Sequence, residues 1–272
     1  MVRPLKHLSV FKANDLLVSS SIESANDQLS DADILVLPMD LTDMSAHQPA
    51  FDKIIATFGQ LDILVNNAGH LQTALFDDMD LAVDRQHFEL NVFAVVSLTR
   101  LAIKHWLSRG ERGHLVTISS MFGFSPMPAT AAYVATKHAL IGYFDTVRVE
   151  YAKRDISVTV VCPGPVATDL LSKSIKSPDG QVPQFMFPIM AVDRCAYLIA
   201  VAVANKLKMS WCIRQPYMLC AIFLYAPFLS RSLFSLIVPE WLVKQAAVGD
   251  YTITLKKLFK GDSKVTAVDG AV

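Results

Sequence analysis

Short apolar runs of strand length alternate along this chain with longer stretches in which apolar residues recur with helical spacing. Strands are predicted at residues 34–37, 63–65, 114–118 and 157–161, and helices at 49–58, 81–108 and 131–152. Strands that are apolar along their whole length are typical of parallel sheets that helices cover on both faces. The pattern therefore predicts an α/β fold built on a parallel sheet.

Residue spacing and composition divide the chain into four parts. A length of 272 residues fits one α/β domain with a modest extension. The alternating strands and helices place this domain at residues 33–210, after an atypical N-terminal segment at 1–32. An apolar C-terminal extension, predicted to be helical, follows at 211–256, and a polar tail predicted to be flexible ends the chain at 257–272.

The charge balance and the cysteine spacing argue against a nucleic-acid partner and against a metal site. Lysine plus arginine and aspartate plus glutamate both total 25, so the formal net charge is zero. Because no excess of positive charge is present to neutralise phosphates, we expect no nucleic-acid partner. The four cysteines form no C-x-x-C pair, which argues against a zinc ribbon or a dithiol redox centre. We expect no metal site, and free thiols in a reducing compartment.

The apolar excess of the chain is concentrated near its C-terminal end. The mean hydropathy of +0.36 is high for a freely soluble domain, and residues 216–238 are almost entirely apolar. This run is long enough for a transmembrane helix, but Pro227 and Arg231 lie inside it and make a single straight span a poor fit. Membrane contact through a helical hairpin or an interfacial surface is one interpretation. A buried lid or a homodimer face in a soluble enzyme is the other, and both stay open.

Two asparagine-containing segments are candidates for ligand binding. The tetrapeptide Asn66-Asn67-Ala68-Gly69 directly follows a predicted strand, at the edge where open α/β sheets bind ligands. Small residues there let a ligand approach the backbone, although a plain strand-to-loop turn has the same composition. Asn91 lies in the middle of a predicted helix, where asparagine is a poor helix former. It indicates either a satisfied buried polar residue or a local bend that holds a water.

Hydroxyl and amine groups suited to proton transfer follow further along the chain. Ser119 and Ser120 come at the end of the strand predicted at 114–118, where a hydroxyl can donate to a substrate oxygen or cap a turn. Tyr133 and Lys137 are four residues apart on a predicted helix and therefore share one face. Because a nearby ammonium stabilises a phenolate, we expect Lys137 to lower the pKa of Tyr133. Such a tyrosine can exchange a proton with a carbonyl/alcohol pair.

Taken in order, these residues resemble the short-chain dehydrogenase/reductase (SDR) family. The resemblance covers about residues 33–168 and runs through Asn-Asn-Ala-Gly at 66–69, Asn91, Ser120 and Tyr133-x-x-x-Lys137. A Pro-Gly turn at 163–164 and Asp-Leu-Thr at 40–42 add to it. The resemblance implies a Rossmann-like, doubly wound parallel sheet, and hydride transfer between a nicotinamide cofactor and a carbonyl or alcohol.

The resemblance also implies a role for each of these residues. Tyr133 would be the general acid in reduction, Lys137 would assist it and bind the nicotinamide ribose, and Ser120 would polarise the substrate carbonyl. Asn91 would hold a water that links Lys137 to solvent. Cofactor contacts are implied for Asp40 and Leu41 at the adenine ring, for Asn66, Asn67, Ala68 and Gly69 along the adenosine half, and for Tyr133, Lys137, Pro163, Gly164, Val166 and Thr168 towards the nicotinamide and the phosphates.

Within the family, the chain looks most like the membrane-associated dehydrogenase/reductase member 7 branch. Residues 35–43 (LVLPMDLTD) and the apolar C-terminal part carry this finer resemblance. Because that branch reduces steroid, retinoid and other lipophilic carbonyls with NADP(H), we expect such a substrate and expect NADP(H) over NAD(H). The resemblance implies a location at the endoplasmic reticulum membrane. A cytoplasmic location is the alternative, since residues 1–11 show no anchor or signal peptide.

The chain departs from the family at its start, where a strand, a glycine-rich Thr-Gly-x-x-x-Gly-x-Gly turn and a helix are expected. The first glycine is Gly59, yet that turn needs glycines so that its backbone can approach the pyrophosphate. We therefore interpret residues 1–32 as replacing the first βαβ unit in an N-terminally truncated form. Residues 16–18 are a candidate remnant of the second strand, and residues 7–21 a candidate patch for the edge that the strand at 63–65 would expose. A catalytically impaired relative that binds a membrane or a partner is the alternative to an active carbonyl reductase.

Overall fold

A computed structural model of the protein describes residues 8–12, 34–168 and 189–214, together with positions 170, 225–227, 230, 238, 240 and 243–244. The strands are β1 (Leu8–Lys12), β2 (Ile34–Pro38), β3 (Ile63–Asn66), β4 (Gly113–Ile118), β5 (Ile156–Pro163) and β6 (Met209–Cys212). The helices are α1 (His47–Phe58), α2 (Leu81–Phe88), α3 (Ala94–Arg109), α4 (Ala131–Glu150) and α5 (Val192–Ala204). Short turns of 3-10 helix occupy Met44–Ala46 and Met121–Gly123, and a π-helical turn occupies Glu89–Phe93.

The described strands form two parallel sheets. One contains four strands in the order β3-β4-β5-β6, and the other contains β1 and β2. In the larger sheet Val65 lies opposite Val116, and Val116 opposite Thr159, so the four strands run side by side. Every pairing is parallel, which confirms the predicted parallel sheet.

Apolar side chains pack on both faces of the four-stranded sheet, as a doubly wound fold requires. On one face, Leu64 and Leu115 pack with residues of α1, α3 and α4 in a buried cluster that includes Trp106. On the other face, Val116 and Val161 pack with residues around α5 in a second cluster. The predicted two-sided cover is therefore confirmed for the centre of the sheet.

The cover is incomplete at β2 and β3. The side chain of Val36 in β2 is 41% exposed, and that of Val65 in β3 is 49% exposed. Among the described residues β3 pairs with β4 alone, and Leu8–Lys12 pairs with β2. Leu8–Lys12 lies in a separate sheet with β2 and does not pair with β3, so the expectation that residues 7–21 would patch the β3 edge is wrong for Leu8–Lys12; residues 13–21 lie outside the described residues. The candidate remnant at 16–18 lies outside the described residues.

The longest predicted helix, at 81–108, is interrupted in the structure. The Glu89–Phe93 turn separates α2 from α3 and has a π-helical hydrogen-bond pattern. Asn91 lies at its centre and is completely buried. The helix is therefore irregular at this asparagine, and the Asn91 carboxamide bonds to His70 and Thr136 rather than to its own helix.

The C-terminal extension is described at few positions. Most of residues 216–238 and all of the tail at 257–272 lie outside the described residues. Among the helices that are described, none combines the length and the apolar character needed to cross a bilayer.

A buried histidine joins the two central strands and makes stability depend on pH. His114 in β4 is 4% exposed, and its Nε2 lies 2.8 Å from the Thr159 hydroxyl in β5. Burial, reinforced by the positive charge of Lys206, lowers the pKa of His114 to about 4. The folded protein therefore keeps this imidazole neutral at pH values where the unfolded chain has already bound a proton.

We expect the free energy of unfolding to fall as pH drops from about 6.5 towards 4, by at most about 1.4 kcal/mol per pH unit for this single group. Urea unfolding at several pH values measures the slope. His114→Gln should flatten it, because glutamine binds no proton in either state. His138→Gln, at an exposed position on α4, is the matched control and should leave the slope unchanged. A slope equal in His114→Gln and the parent protein would contradict the prediction.

Candidate active site

The carboxyl ends of β3, β4 and β5 lie at one edge of the sheet, because the strands are parallel and in register. The chain leaves β4 through Ser119 and Ser120, and Ser120 caps the Met121–Gly123 turn by accepting a hydrogen bond from the Phe122 amide at 3.2 Å. Ser120 itself is 6% exposed. Its hydroxyl is thereby fixed at the edge where the strands end.

The N-terminal half of α4 brings Tyr133 and Lys137 to the same edge. Both side chains are buried, at 8% and 4% exposed. The Lys137 ammonium donates to the Ile118 carbonyl oxygen at 2.9 Å and lies 5.5 Å from the centre of the Tyr133 ring. The Ser119 hydroxyl donates to the Lys137 carbonyl oxygen at 2.9 Å. Side-chain and backbone bonds thus join α4 to the end of β4 at this point.

Close approach of α4 to the Met121–Gly123 turn depends on glycine. A Cβ atom on Gly123 would lie 2.4 Å from Ile141 Cδ1 and 2.7 Å from Ser119 Oγ. A larger residue would force the Ile141 and Ser119 side chains to shift, and its Cβ would also lie 3.0 Å from the Lys137 carbonyl oxygen in α4. Gly123 is therefore part of what positions Ser120 against Tyr133, and nothing in the sequence pattern marked it.

Burial controls the protonation of the Tyr133 phenol. It raises the pKa of Tyr133 to about 12, while a hydrogen bond with the Ser120 side chain acts in the opposite direction. The expectation that Lys137 would lower the pKa of Tyr133 is wrong for the protein as described. Loss of hydration of the phenolate outweighs other effects, and the ammonium faces the Ile118 carbonyl.

The same burial affects Lys137. It lowers the pKa of the Lys137 ammonium to about 8, with a smaller opposing influence of Cys162. At neutral pH the side chain is therefore charged, with a proton that it can release more easily than a solvent-exposed lysine can. A protonated phenol and a charged ammonium meet at one edge of the sheet.

The Asn91 side chain hydrogen-bonds to both the loop after β3 and α4. Its Oδ1 accepts from the His70 amide at 2.9 Å, and its Nδ2 donates to the His70 carbonyl oxygen at 3.0 Å and to Thr136 Oγ1 at 3.1 Å. The Thr136 hydroxyl donates in turn to the Tyr133 carbonyl oxygen at 2.7 Å. The carboxamide thus holds protein groups in place. The role of Asn91 in holding a water stays a prediction.

The tetrapeptide at 66–69 contributes to the site unequally. The Asn66 side chain is buried and donates to Thr99 Oγ1 at 3.0 Å, so it fixes the end of β3. Asn67 is exposed, and Ala68 packs against the main core.

Gly69 lies in a crowded position. A Cβ on Gly69 would lie 3.2 Å from Asn91 Oδ1 and 3.7 Å from Lys137 Nζ. Gly69 therefore lies beside Lys137.

The turn after β5 lies close to the Ser120 turn. The Gly164 amide donates to the Cys212 carbonyl oxygen at 3.0 Å. A Cβ on Gly164 would be 3.1 Å from Ile213 Cγ2 and 3.6 Å from Met121 Sδ. Because Met121 directly follows Ser120, the Pro163-Gly164 turn lies close to the turn that carries the Ser120 hydroxyl.

The remaining residues of the predicted cofactor site lie further out. Val166 forms a parallel bridge with Met190, and Thr168 is exposed.

The segment after β2 contributes Asp40 and Leu41. Asp40 is exposed, and hydrogen bonds from the backbone and hydroxyl of Thr42 lower the pKa of its carboxyl. Leu41 differs, since its side chain is 4% exposed and packs in the core. Only the backbone of Leu41 is therefore free to meet a ligand.

A pair of histidines beside Asn91 was not expected from the sequence. The rings of His70 and His87 lie 4.0 Å apart between centres, and His87 is completely buried. Burial and the neighbouring His87 lower the pKa of His70 to about 4, and burial lowers the pKa of His87. Both rings are therefore neutral near pH 7. Seventeen positions separate them, and no sequence spacing signals such a contact.

Comparison with known proteins agrees with this arrangement. A family model described as short chain dehydrogenase matches residues 10–179. Human dehydrogenase/reductase SDR family member 7 is 38% identical over 201 residues, covering 71% of this chain and 58% of the human protein. The Arabidopsis thaliana 11-beta-hydroxysteroid dehydrogenase-like 2 is 34% identical over 173 residues, covering 63% of this chain and 54% of that protein. This chain thus spans little more than half the length of these two relatives.

Solved structures share the fold. Acetoin dehydrogenase from Enterobacter cloacae superposes with a TM-score of 0.64 at 26% identity, covering 79% of this chain and 86% of that one. A structure of ElxO with NADP bound has a TM-score of 0.62 at 23% identity, covering 76% and 87%. The second likeness, at this identity, concerns the fold alone.

Proposed function

Because the chain belongs to the short-chain dehydrogenase/reductase family, we propose that it is an NAD(P)(H)-dependent oxidoreductase that reduces the carbonyl of a lipophilic substrate. The observation that carries the proposal is the buried group of Ser120, Tyr133 and Lys137 at the carboxyl edge of the sheet. A phenol, a hydroxyl and an ammonium in that arrangement can polarise a carbonyl and deliver a proton to its oxygen.

The protonation of Tyr133 favours the reductive direction. With a pKa raised to about 12 by burial, the phenol keeps its proton at neutral pH and is ready to donate it. Oxidation of an alcohol would first need the phenolate, which burial disfavours. The Ser120 hydroxyl, fixed by its cap to the Phe122 amide, would bind the same substrate oxygen and orient it towards the phenol.

Lys137 would hold the ribose of the nicotinamide cofactor and supply positive charge as the Tyr133 proton leaves. Its bond to the Ile118 carbonyl oxygen sets the position of the ammonium, and two further donor hydrogens are left for a ligand. A phenolate formed at Tyr133 would face this charge at close range. We therefore propose that Lys137 acts electrostatically after proton transfer rather than before it.

Gly69 and Gly164 would contact the nicotinamide half of the cofactor through their backbone. A Cβ on Gly69 would lie 3.2 Å from Asn91 Oδ1, and one on Gly164 would lie 3.1 Å from Ile213 Cγ2, so glycine lets these turns pack close to Lys137 and Met121. Pro163, Val166 and Thr168 would extend this contact, and Asn67 and Asp40 would meet the adenosine half. The cofactor supplies the hydride when bound. For the pyrophosphate, the sequence offers no glycine-rich turn before Gly59.

We propose NADP(H) as the preferred cofactor. The resemblance to the member 7 branch, which uses NADP(H), supports this preference. A lipophilic substrate is supported by a relative named for 11-beta-hydroxysteroid dehydrogenase activity.

The proposal is tested by titrating NADPH and NADH into the purified chain while nicotinamide fluorescence is followed. Saturable enhancement with NADPH, and weaker binding of NADH, is the expected result. Lys137→Met is the matched variant, since it removes the ammonium at similar length and should weaken binding of both nucleotides. Absence of saturable binding of either nucleotide would overturn the proposal.

A second candidate function is a cofactor-free relative that binds a membrane or a partner. The exposed valines of β2 and β3 favour it. Failure of nucleotide binding, combined with co-sedimentation with phosphatidylcholine vesicles, would support it. In that case segment 216–238 would be the proposed contact, with the endoplasmic reticulum membrane as the proposed location. A cytoplasmic homodimer is the alternative arrangement, and sedimentation velocity would detect it.

A further inference from the structure

His70, the first residue after the tetrapeptide at 66–69, is held at two points by one stretch of helix. Asn91 binds its backbone, accepting from the His70 amide at 2.9 Å and donating to the His70 carbonyl oxygen at 3.0 Å. His87 contacts its side chain, with 4.0 Å between the centres of the two rings and 48° between their planes. His87 and Asn91 are four residues apart, so both side chains reach the loop after β3 from the same side.

The His87 ring is fixed in one orientation. It is completely buried near the end of α2, and its Nδ1 donates to the Val83 carbonyl oxygen at 2.9 Å. Because a carbonyl oxygen only accepts, Nδ1 carries the proton of the neutral ring and Nε2 presents a lone pair. This Nε2 finds no hydrogen-bond partner among the described residues, and a buried lone pair without a donor costs stability. The imidazole therefore contributes through the packing of its ring rather than through a bond at Nε2.

The neighbours of His70 connect the ring contact to Lys137. Gly69 directly precedes His70, and a Cβ there would lie 3.2 Å from Asn91 Oδ1 and 3.7 Å from Lys137 Nζ. The Asn91 carboxamide also donates to Thr136 Oγ1 in α4 at 3.1 Å. A shift of His70 would therefore move the Gly69 backbone relative to the Lys137 ammonium. It would also disturb the hydrogen bonds that join the loop, through Asn91, to α4.

We propose that His87 is a positioning residue of the reductase site, whose ring holds His70 and thereby the loop after β3 beside Lys137. In this role it acts through His70 rather than on substrate or cofactor. The effect on rate rests on the reductase function proposed above. The effect on the loop does not, because the ring contact exists without any reaction.

Hydrogen exchange at the His70 amide, followed by NMR on the purified full chain, reports on the loop without any need for activity. His87→Ala removes the ring and should speed this exchange by at least about tenfold relative to the slowest amides of the same variant, because the bond to Asn91 opens more often. His114→Ala is the matched control. It also removes a buried imidazole, but at the amino end of β4, and should leave the relative exchange of His70 unchanged.

The rate of ketone reduction with NADPH gives the second measurement. His87→Ala should lower kcat by about 10–100-fold, since displacement of a reacting group by on the order of 1 Å costs up to about 10²-fold. KM for the ketone should stay within about twofold, because His87 does not bind substrate. His87→Phe keeps a flat ring against His70 and should restore kcat to within about threefold of the parent value. His114→Ala should keep the parent kcat.

His70→Ala removes the same contact from its half-buried side and serves if His87→Ala fails to fold. It should match the loss of rate in His87→Ala, and the double variant should lose no more than either single one. Exchange of the His70 amide as slow in His87→Ala as in the parent protein would overturn the proposal, and so would a loss of rate in His87→Phe equal to that in His87→Ala. If the parent chain neither binds NADPH nor reduces a ketone, the reductase function fails by itself, and the exchange measurement still decides whether His87 holds the loop.

Discussion

Replacing Tyr133 with phenylalanine should lower the turnover number for carbonyl reduction by about 10²–10⁴-fold, the range that a positioned general acid contributes. Burial raises the pKa of Tyr133 to about 12, so the phenol holds its proton firmly at neutral pH. Phenylalanine keeps the ring that packs beside Lys137 and removes only the hydroxyl. The hydroxyl is proposed to bind the substrate oxygen, so its loss should destabilise the transition state and leave the complex with cofactor unchanged. The affinity for NADPH should therefore stay within about twofold of the parent protein.

Tyr143→Phe is the matched control for this experiment. Tyr143 lies ten residues after Tyr133 on the same helix and is 41% exposed. Its variant should keep both turnover and NADPH affinity. A parallel loss of turnover and NADPH affinity in Tyr133→Phe would show instead that the phenol supports the shape of the site. Steady-state rates with a lipophilic ketone and fluorescence titration separate the two outcomes.

Replacing Gly113 with alanine should destabilise the fold by at least about 3 kcal/mol, at the upper end of what overpacking a core costs. A Cβ on Gly113 would lie 2.2 Å from two ring carbons of Trp106. The indole is completely buried and its Nε1 donates to the Leu61 carbonyl oxygen, so the ring cannot move aside without breaking that bond. The free energy of unfolding in urea measures the effect.

Gly142→Ala is the control substitution for Gly113→Ala. Gly142 lies inside α4, and a Cβ there would meet nothing within 4 Å. Since alanine is the better helix former, the variant should be more stable by about 0.5–1 kcal/mol. Combining Gly113→Ala with Trp106→Leu should recover part of the lost stability. If Gly113→Ala and Gly142→Ala unfold at the same urea concentration, the close packing of β4 against Trp106 is incorrect.

Much of the sheet could be predicted because a buried parallel strand has a strong local signature. The apolar runs at 63–65, 114–118 and 157–161 all became strands of one sheet, each one to three residues longer than predicted. The helix predicted at 131–152 ends at Glu150, and the one predicted at 49–58 begins at His47. End positions depend on caps and side-chain bonds such as that of His47 to the Leu41 carbonyl oxygen, which periodicity does not show.

The proximity of Ser120, Tyr133 and Lys137 could be predicted because their residue types and order are specific, but the electrostatics of this group could not. The pKa of Tyr133 depends on how much water the fold excludes, and spacing on a helix carries no information about burial. The contact between His70 and His87 and the hydrogen bonds of Asn91 to His70 depend on tertiary packing. The sequence also did not predict that Leu8–Lys12 pairs with β2, because a strand of five residues carries too little local pattern to indicate its partner.

The strand order β3-β4-β5-β6 has a consequence for the way the protein is made. Each strand of this sheet lies beside the strand that precedes it in the chain, so no later strand has to insert between two earlier ones. During synthesis the sheet can therefore grow by addition at one edge as the chain leaves the ribosome. Ser120, Tyr133 and Lys137 all precede β5, so the proton-donating group can assemble on β3 and β4 before the last third of the chain has been synthesised.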